Sequence, residues 1–278
     1  MKLIYYSNKF LFFINVIFGS LLLISCLVPY ISVPYFSYLS LLSLMVPLLV
    51  LFNFLFFGYW SVQGKRYLWF PVAVLVLGYF FLGTFFKFGL SEKPINKEDV
   101  SVMSFNTRGF NRGGLIKDAT IDQQIVDLVR SEAPDIVCFQ EFDRRRVKGK
   151  DFDQYDYRYV NLEPGKVVQA IYSKFPIINK GTFDFPDSAN NAIFVDVVID
   201  RDTVRIYNLH LESHKVIPDM RRISREPKVK LLRRMSGSFA KQQEQVALFT
   251  AHKNASSYKK IICGDLNNTQ FSNVYRQV

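Results

Sequence analysis

Four stretches of this chain end in residues that can handle a metal ion and a phosphate. Ser104-Phe105-Asn106, Phe139-Gln140-Glu141, Asn208-Leu209-His210 and Gly264-Asp265-Leu266-Asn267 each close an apolar, strand-like run. In extended backbone, residues two apart face the same side, so Asp265 and Asn267 present a carboxylate and a carboxamide together. Singly, each residue has an ordinary explanation. Asn106 can cap a turn before the Gly109–Gly114 loop, Glu141 can be a surface carboxylate ahead of Arg144–Arg146, His210 a satisfied core histidine, and Asp265 a turn residue. Jointly they complement one reaction, metal-assisted phosphoester hydrolysis. Glu141 is the expected ligand of Mg²⁺, or of Mn²⁺ in its place, because a hard cation keeps several waters and needs only one or two carboxylates. Asp265 is expected to orient or deprotonate the attacking water, with Asn267 holding water or phosphate. His210 is expected to donate a hydrogen bond to a non-bridging oxygen. Three histidines and three cysteines, with no ligand spacing among them, argue against zinc.

The elements that must position these residues alternate between strand and helix patterns. Strands are predicted at 100–106, 135–141, 167–173 and 260–263, with a hairpin of 192–199 and 203–211 around Asp200-Arg201-Asp202. Helices are predicted at 120–131, where Ile121, Ile125, Leu128 and Val129 share a face, and at 239–252. Such a mixture suits two sheets packed face to face with helices outside, and periodicity alone does not separate that from a doubly wound sheet. Cys138 and Cys263 sit inside apolar runs and read as buried thiols, with a disulfide between them as the alternative that nothing requires.

The first 90 residues have a different composition. They carry five basic residues and no acidic one, whereas all 24 acidic residues follow. Three apolar runs, 10–28, 36–57 and 69–86, have the length of transmembrane helices, and Tyr30, Tyr35, Tyr59, Trp60, Tyr67 and Trp69 cluster at their ends. A cleavable signal peptide competes for the first run, Cys26 resembling a processing site, but two further runs follow. Lys2, Lys9, Lys65 and Arg66 place the N-terminus and the second loop in the cytoplasm, so three spans predict an extracytoplasmic domain on a bacterial-type inner membrane. A polar linker, 91–99, joins the two parts. The segment 215–234 holds eight basic residues against Asp219 and Glu226. It reads either as a patch for anionic polymers or headgroups or as a solvated face.

VMSFNTRG, IVCFQEFD, IYSKFPI, YNLHLES and IICGDLNNT, in this order, resemble the endonuclease/exonuclease/phosphatase superfamily across residues 100–278. The segment before them is similar to the anchor of bacterial membrane-bound members. The resemblance implies a four-layer α/β/β/α sandwich, with the site where the two sheets meet, preceded by three transmembrane α-helices. It implies Asn106 and Glu141 as metal-proximal residues, His210 as the phosphate-contacting histidine, and Asp265 with Asn267 as the G-D-x-N pair. Gln140 precedes the glutamate as in the family, and Gln169 stays unassigned. The family's terminal Asp-His pair has no counterpart after Asn273-Val274-Tyr275, and His214 and His252 are poor substitutes. The expectation is therefore a fragment lacking its C-terminal part and close to inactive.

The resulting expectation is a membrane-anchored, Mg²⁺-dependent phosphoesterase, integral through three spans, with no obligate protein partner. Its substrate would be nucleic acid, a phospholipid headgroup or a phosphomonoester. The alternative is a non-catalytic membrane scaffold or binding protein that keeps the sandwich.

Overall fold

The computed structural model describes residues 2–31, 37–85, 96, 99–148, 150–216 and 226–278. It divides into two compact units. One comprises Met1–Glu92, His214–Glu244 and Asn268–Gln277, the other Lys93–Ser213, Gln245–Asn267 and Val278.

The second unit is an α/β sandwich of two mixed sheets. Its strands are β1 (Val102–Asn106), β2 (Ile136–Gln140), β3 (Tyr157–Val160), β4 (Ala170–Ser173), β5 (Ile177–Asp184), β6 (Asn191–Ile199), β7 (Asp202–His210) and β8 (Lys259–Asp265). One sheet has the order β1-β2-β4-β3 and the other β5-β6-β7-β8. Pairs β1/β2 and β7/β8 are parallel, and the remaining neighbours are antiparallel. Between the sheets lie Ile136, Cys138 and Ile171 from one side and Ile193, Val195, Val197 and Ile206 from the other. Each such side chain contributes about 1.5–3 kcal/mol on full burial, so this layer is what joins the sheets.

Strand alternation sends the intervening residues outward. Val137, Phe139 and Tyr172 pack with Val126 and Val129 of the helix Ile121–Glu132. On the other sheet, Tyr207 meets Phe249 with ring centroids 5.1 Å apart, and its hydroxyl lies 3.0 Å from His252 Nδ1. Cys138 and Cys263 are both free. Their mutual hydrogen bond and burial push the Cys138 thiol well up, while the same bond pulls Cys263 down.

Several elements differ from the sequence pattern. Strands β3 and β5 were not expected; both are sheet edges, and β5 reads IINKGTFD with exposed Asn179 and Lys180. The long helix runs over Lys228–Ala255, beginning well before residue 239. Its first turns belong to the basic segment, and Arg234 there makes a two-pronged pair with Glu226, at 2.5 and 3.0 Å. Residues 217–225 of that segment lie outside the described residues, as does most of the 91–99 linker.

In the first unit, α1 (Lys2–Ser25), α2 (Leu41–Val62) and α3 (Trp69–Leu82) pack through Leu22, Val46, Leu49, Val50 and Val74. Buried polar groups pair internally, with Trp60 Nε1 donating to Asn15 Oδ1 at 3.1 Å and Tyr59 to Asn8 at 2.9 Å. Asn273 Nδ2 donates to the Pro29 carbonyl at 2.9 Å, and Arg276 lies 3.8 Å over the Tyr30 ring.

The expectation of three transmembrane helices ahead of the sandwich is corrected here. Among the described residues, two helical segments, Tyr5–Tyr30 and Leu41–Val62, are long and apolar enough to cross a membrane. The third is not. Helix α3 has 14 residues and ends at Gly83, whose φ is +81°. At 1.5 Å per residue it rises about 21 Å, short of a hydrocarbon core of about 30 Å. Phe86, the expected end of that span, lies outside the described residues, as does Phe36 at the start of the second. The integral three-span attachment falls with the third helix. So does the multi-pass inner-membrane topology with a cytoplasmic N-terminus and an extracytoplasmic domain, which required an odd number of crossings.

Gly264 shows how tightly β7 and β8 are joined. The parallel register sets it opposite Leu209, its φ is +146°, and an added Cβ would overlap the Leu209 carbonyl oxygen. Gly264→Ala is expected to destabilise the sandwich by about 3 kcal/mol. An unchanged urea midpoint would show that the strands part there without cost.

Candidate active site

Register and alternation together place the chemical residues. Asn106 pairs with Gln140 across β1 and β2, and His210 with Asp265 across β7 and β8. In each strand the inward residues share a parity. Ile136 and Cys138 precede Gln140, Val204 and Ile206 precede Asn208 and His210, and Ile261 and Cys263 precede Asp265. Two parallel pairs thus end in polar residues on the faces that meet.

Asn106 joins the two sheets at this edge. Its Nδ2 donates to Glu141 Oε1 at 3.1 Å and to Asp265 Oδ2 at 2.9 Å, while its Oδ1 accepts the Arg108 amide at 2.9 Å. One carboxamide therefore holds two carboxylates, one from each sheet. Among the described residues neither carboxylate has a lysine or arginine partner. Like charges converging in this way favour a cation between or beside them. Among the described residues no three His, Cys, Asp or Glu side chains converge into a metal cage. The donor set is oxygen only and sparse, which fits Mg²⁺ or Mn²⁺ with retained waters and does not fit a zinc centre.

Glu141 is held by its backbone. It leaves β2 with φ of +50°, a conformation unfavourable for a residue with a Cβ. Its carbonyl accepts from Thr107 Oγ1 and from the Gly109 amide, each at 2.8 Å, and the next amide, of Phe142, donates to Val168 at 2.8 Å. The turn that supplies two of these bonds is itself left-handed: Arg108, Gly109, Phe110 and Asn111 have φ of 49°, 63°, 53° and 58°. Buried Phe110, packed 5.5 Å from the Phe142 ring, pins the turn from below. The Glu141 carboxylate itself remains 38% exposed, within reach of a cation from solvent.

Beneath the carboxylates lies a polar tie between the sheets that sequence reasoning missed. Gln140 Nε2 donates to Asn208 Oδ1 at 2.6 Å and to Ser104 Oγ at 3.2 Å. Asn208 Nδ2 donates to the Phe139 carbonyl at 2.8 Å, and the Gly264 amide to Ser104 Oγ at 3.1 Å. The signal was present, since Ser104 and Asn208 each lie two residues before a candidate residue on the same strand face.

His210 is buried, with Nε2 3.8 Å from Glu141 Oε1 and Nδ1 without a partner among the described residues. Burial lowers its pKa, against the upward pull of Asp265, Glu141 and Glu212, so the ring is neutral near pH 7. Asn267, at φ +48°, donates from its backbone to Asp265 Oδ1 at 2.8 Å and from Nδ2 to the Leu211 carbonyl at 3.0 Å. Gln169, left unassigned from sequence, bonds the Asn191 carbonyl and side chain from full burial. His252 sits with Tyr207 on the outward face of β7, the face opposite to His210. His214 falls in the other unit, its ring against Phe239.

Removing Asn208 tests the tie. Asn208→Ala leaves the buried Gln140 amide short of an acceptor and two carbonyls short of a donor. The expected cost is about 1–3 kcal/mol in denaturant unfolding, and an unaltered midpoint would mean that the tie carries no stability.

Residues 8–85 match a domain of unknown function (DUF8431). No match was found among curated proteins. Several solved structures are similar. Humanized D. rerio TDP2 is 15% identical, with 62% of this chain and 68% of that one covered at a TM-score of 0.47. A β-hairpin deletion mutant of Staphylococcus aureus beta toxin is 18% identical, with 65% and 73% covered at 0.43. Sphingomyelinase C from Streptomyces griseocarneus is 17% identical, with 64% and 67% covered at 0.43. The chain spans 63–64% of two other TDP2 structures, from D. rerio and Caenorhabditis elegans, and 49% of a longer C. elegans one. Residues 103–278, well over half of the chain, match the model of the Endonuclease/Exonuclease/phosphatase family. The chain belongs to that family, and so is classed among the hydrolases of phosphoester bonds.

Proposed function

We propose that the chain is a divalent-cation-dependent phosphoesterase acting on a phosphodiester or phosphomonoester. The observation that carries this reading is the Asn106 carboxamide between the Glu141 and Asp265 carboxylates. Glu141 is the carboxylate that would hold Mg²⁺ or Mn²⁺, with Asn106 beside it. The bound ion would supply charge neutralisation at a phosphoryl oxygen.

The protein's own groups divide the remaining work. Asp265 is fixed on one oxygen by the Asn267 amide and on the other by Asn106, which orients it as a base toward an attacking water. Asn267 shapes the turn that presents Asp265 and stands beside it as a holder of water or phosphate. His210, neutral through burial, donates one N–H to a non-bridging oxygen without bringing a net charge. The length and apolarity of α1 and α2 support attachment of this enzyme to a membrane.

Bis-p-nitrophenyl phosphate serves as a substrate of neutral specificity. Asp265→Asn is expected to lower kcat on the order of 10²–10⁴-fold, the usual contribution of a general base. Glu141→Gln is expected to abolish the response of the rate to added Mg²⁺ while leaving the circular dichroism spectrum unchanged. Retained Mg²⁺-dependent turnover in Glu141→Gln removes that residue from the site.

A further inference from the structure

An open cavity of about 440 Å³, lined by neither of these carboxylates, lies beside β3 and the loop after β2. Arg144, Lys148, Arg158 and Lys180 line it, and no acidic side chain does. Among the described residues none of the four forms an ion pair. Four cations facing one volume repel each other, and an anion placed among them relieves that repulsion.

The same cavity has aromatic walls. Tyr172 pairs with Arg158 across β3 and β4 and is buried against the Phe152 ring at 5.2 Å. Tyr159 is fixed by a 2.8 Å hydrogen bond between its hydroxyl and that of Thr182, and Lys180 Nζ stands 5.5 Å from the centre of its ring. A second cavity, of about 330 Å³, shares Arg158 and Lys180 and continues past Tyr157 to one carboxylate, Asp156, which is not part of the first cavity's lining. Rings and cations thus lie together along these two cavities, whereas the sequence of the basic segment 215–234 contains no aromatic residue. A long acyl chain would require an apolar tunnel, whereas interleaved charges and ring faces suit an anion attached to a planar group. The volume lies in the range of small-molecule sites.

We propose that this cavity is a binding site for a nucleotide unit, its phosphate among Arg144, Lys148, Arg158 and Lys180 and its base against the tyrosine rings. The unit is either a free nucleotide or part of a single strand. The site binds and does not hydrolyse, and it stands independently of the phosphoesterase reading.

The test is equilibrium binding of adenosine monophosphate and of oligodeoxyadenylate to the full chain with EDTA present. The expected result is saturable binding, weakened about tenfold or more by Arg158→Ala with Lys180→Ala and untouched by Glu141→Gln. Both substituted side chains are exposed, so the double variant should fold. Binding of adenosine monophosphate alone assigns a free nucleotide, and binding of both with the same sensitivity assigns a strand. Equal affinity of the double variant overturns the proposal. Decyl phosphate or inorganic phosphate binding as tightly as adenosine monophosphate overturns it too. As a check independent of substitution, azidoadenosine monophosphate should crosslink to residues 157–172. Crosslinking at Asn106, Glu141 or His210 instead assigns the binding to the carboxylate site and sinks the idea.

Discussion

Two carboxylates on separate sheets are held to one amide nitrogen, and the rest of the sandwich is arranged so that this contact can exist. Glu141 and Asp265 are 124 residues apart in the chain, yet Asn106 Nδ2 reaches both within hydrogen-bonding distance. Bringing like charges together in a partly buried place is unfavourable unless something compensates. The amide compensates in part, and the charge left over would give the proposed site an affinity for a positive ion. That residual affinity is the physical basis for reading the site as a metal-assisted one.

Holding that contact requires the sheets to be fixed in depth as well as in register. The apolar layer of Ile136, Ile171, Val195 and Ile206 sets their separation. The Gln140–Asn208 bond at 2.6 Å and the contact of Gly264 with Ser104 fix them laterally near the strand ends. An apolar layer is indifferent to small slides, whereas a buried amide pair is not. Stability and positional accuracy thus come from different residues, and the polar ones lie nearest the chemistry.

Much of this was legible in the sequence because residue type and strand parity carry it. Asn106, Glu141, His210, Asp265 and Asn267 could be picked out as residues at strand ends. Their actual contacts could not, since parity says which face a side chain takes and not what it meets across a sheet. Strands β3 and β5 escaped notice because an edge strand needs only one apolar face, and Asn179, Lys180 and Gly181 look like loop. The third apolar run misled for another reason. Hydropathy continues to Phe86, but the helix stops at Leu82, where Gly83 takes a φ of +81° that a helix does not use. The left-handed turn at Arg108–Asn111 left only two traces, Gly109 and Asn111, because Arg108 and Phe110 are of types that rarely adopt that conformation.

That turn has a bearing on how the chain finds its fold. Left to itself, a run of left-handed residues with side chains reverts to ordinary backbone, which relieves roughly 1–2 kcal/mol each. It persists through bonds that leave β1 and reach the carbonyl of Glu141 at the end of β2. If β1 and β2 paired one residue out of step, those bonds would miss and the turn would relax. The turn therefore acts as a gauge of registry: it closes only on a correctly aligned pair, so mispaired chains lose a local contribution that the native chain keeps.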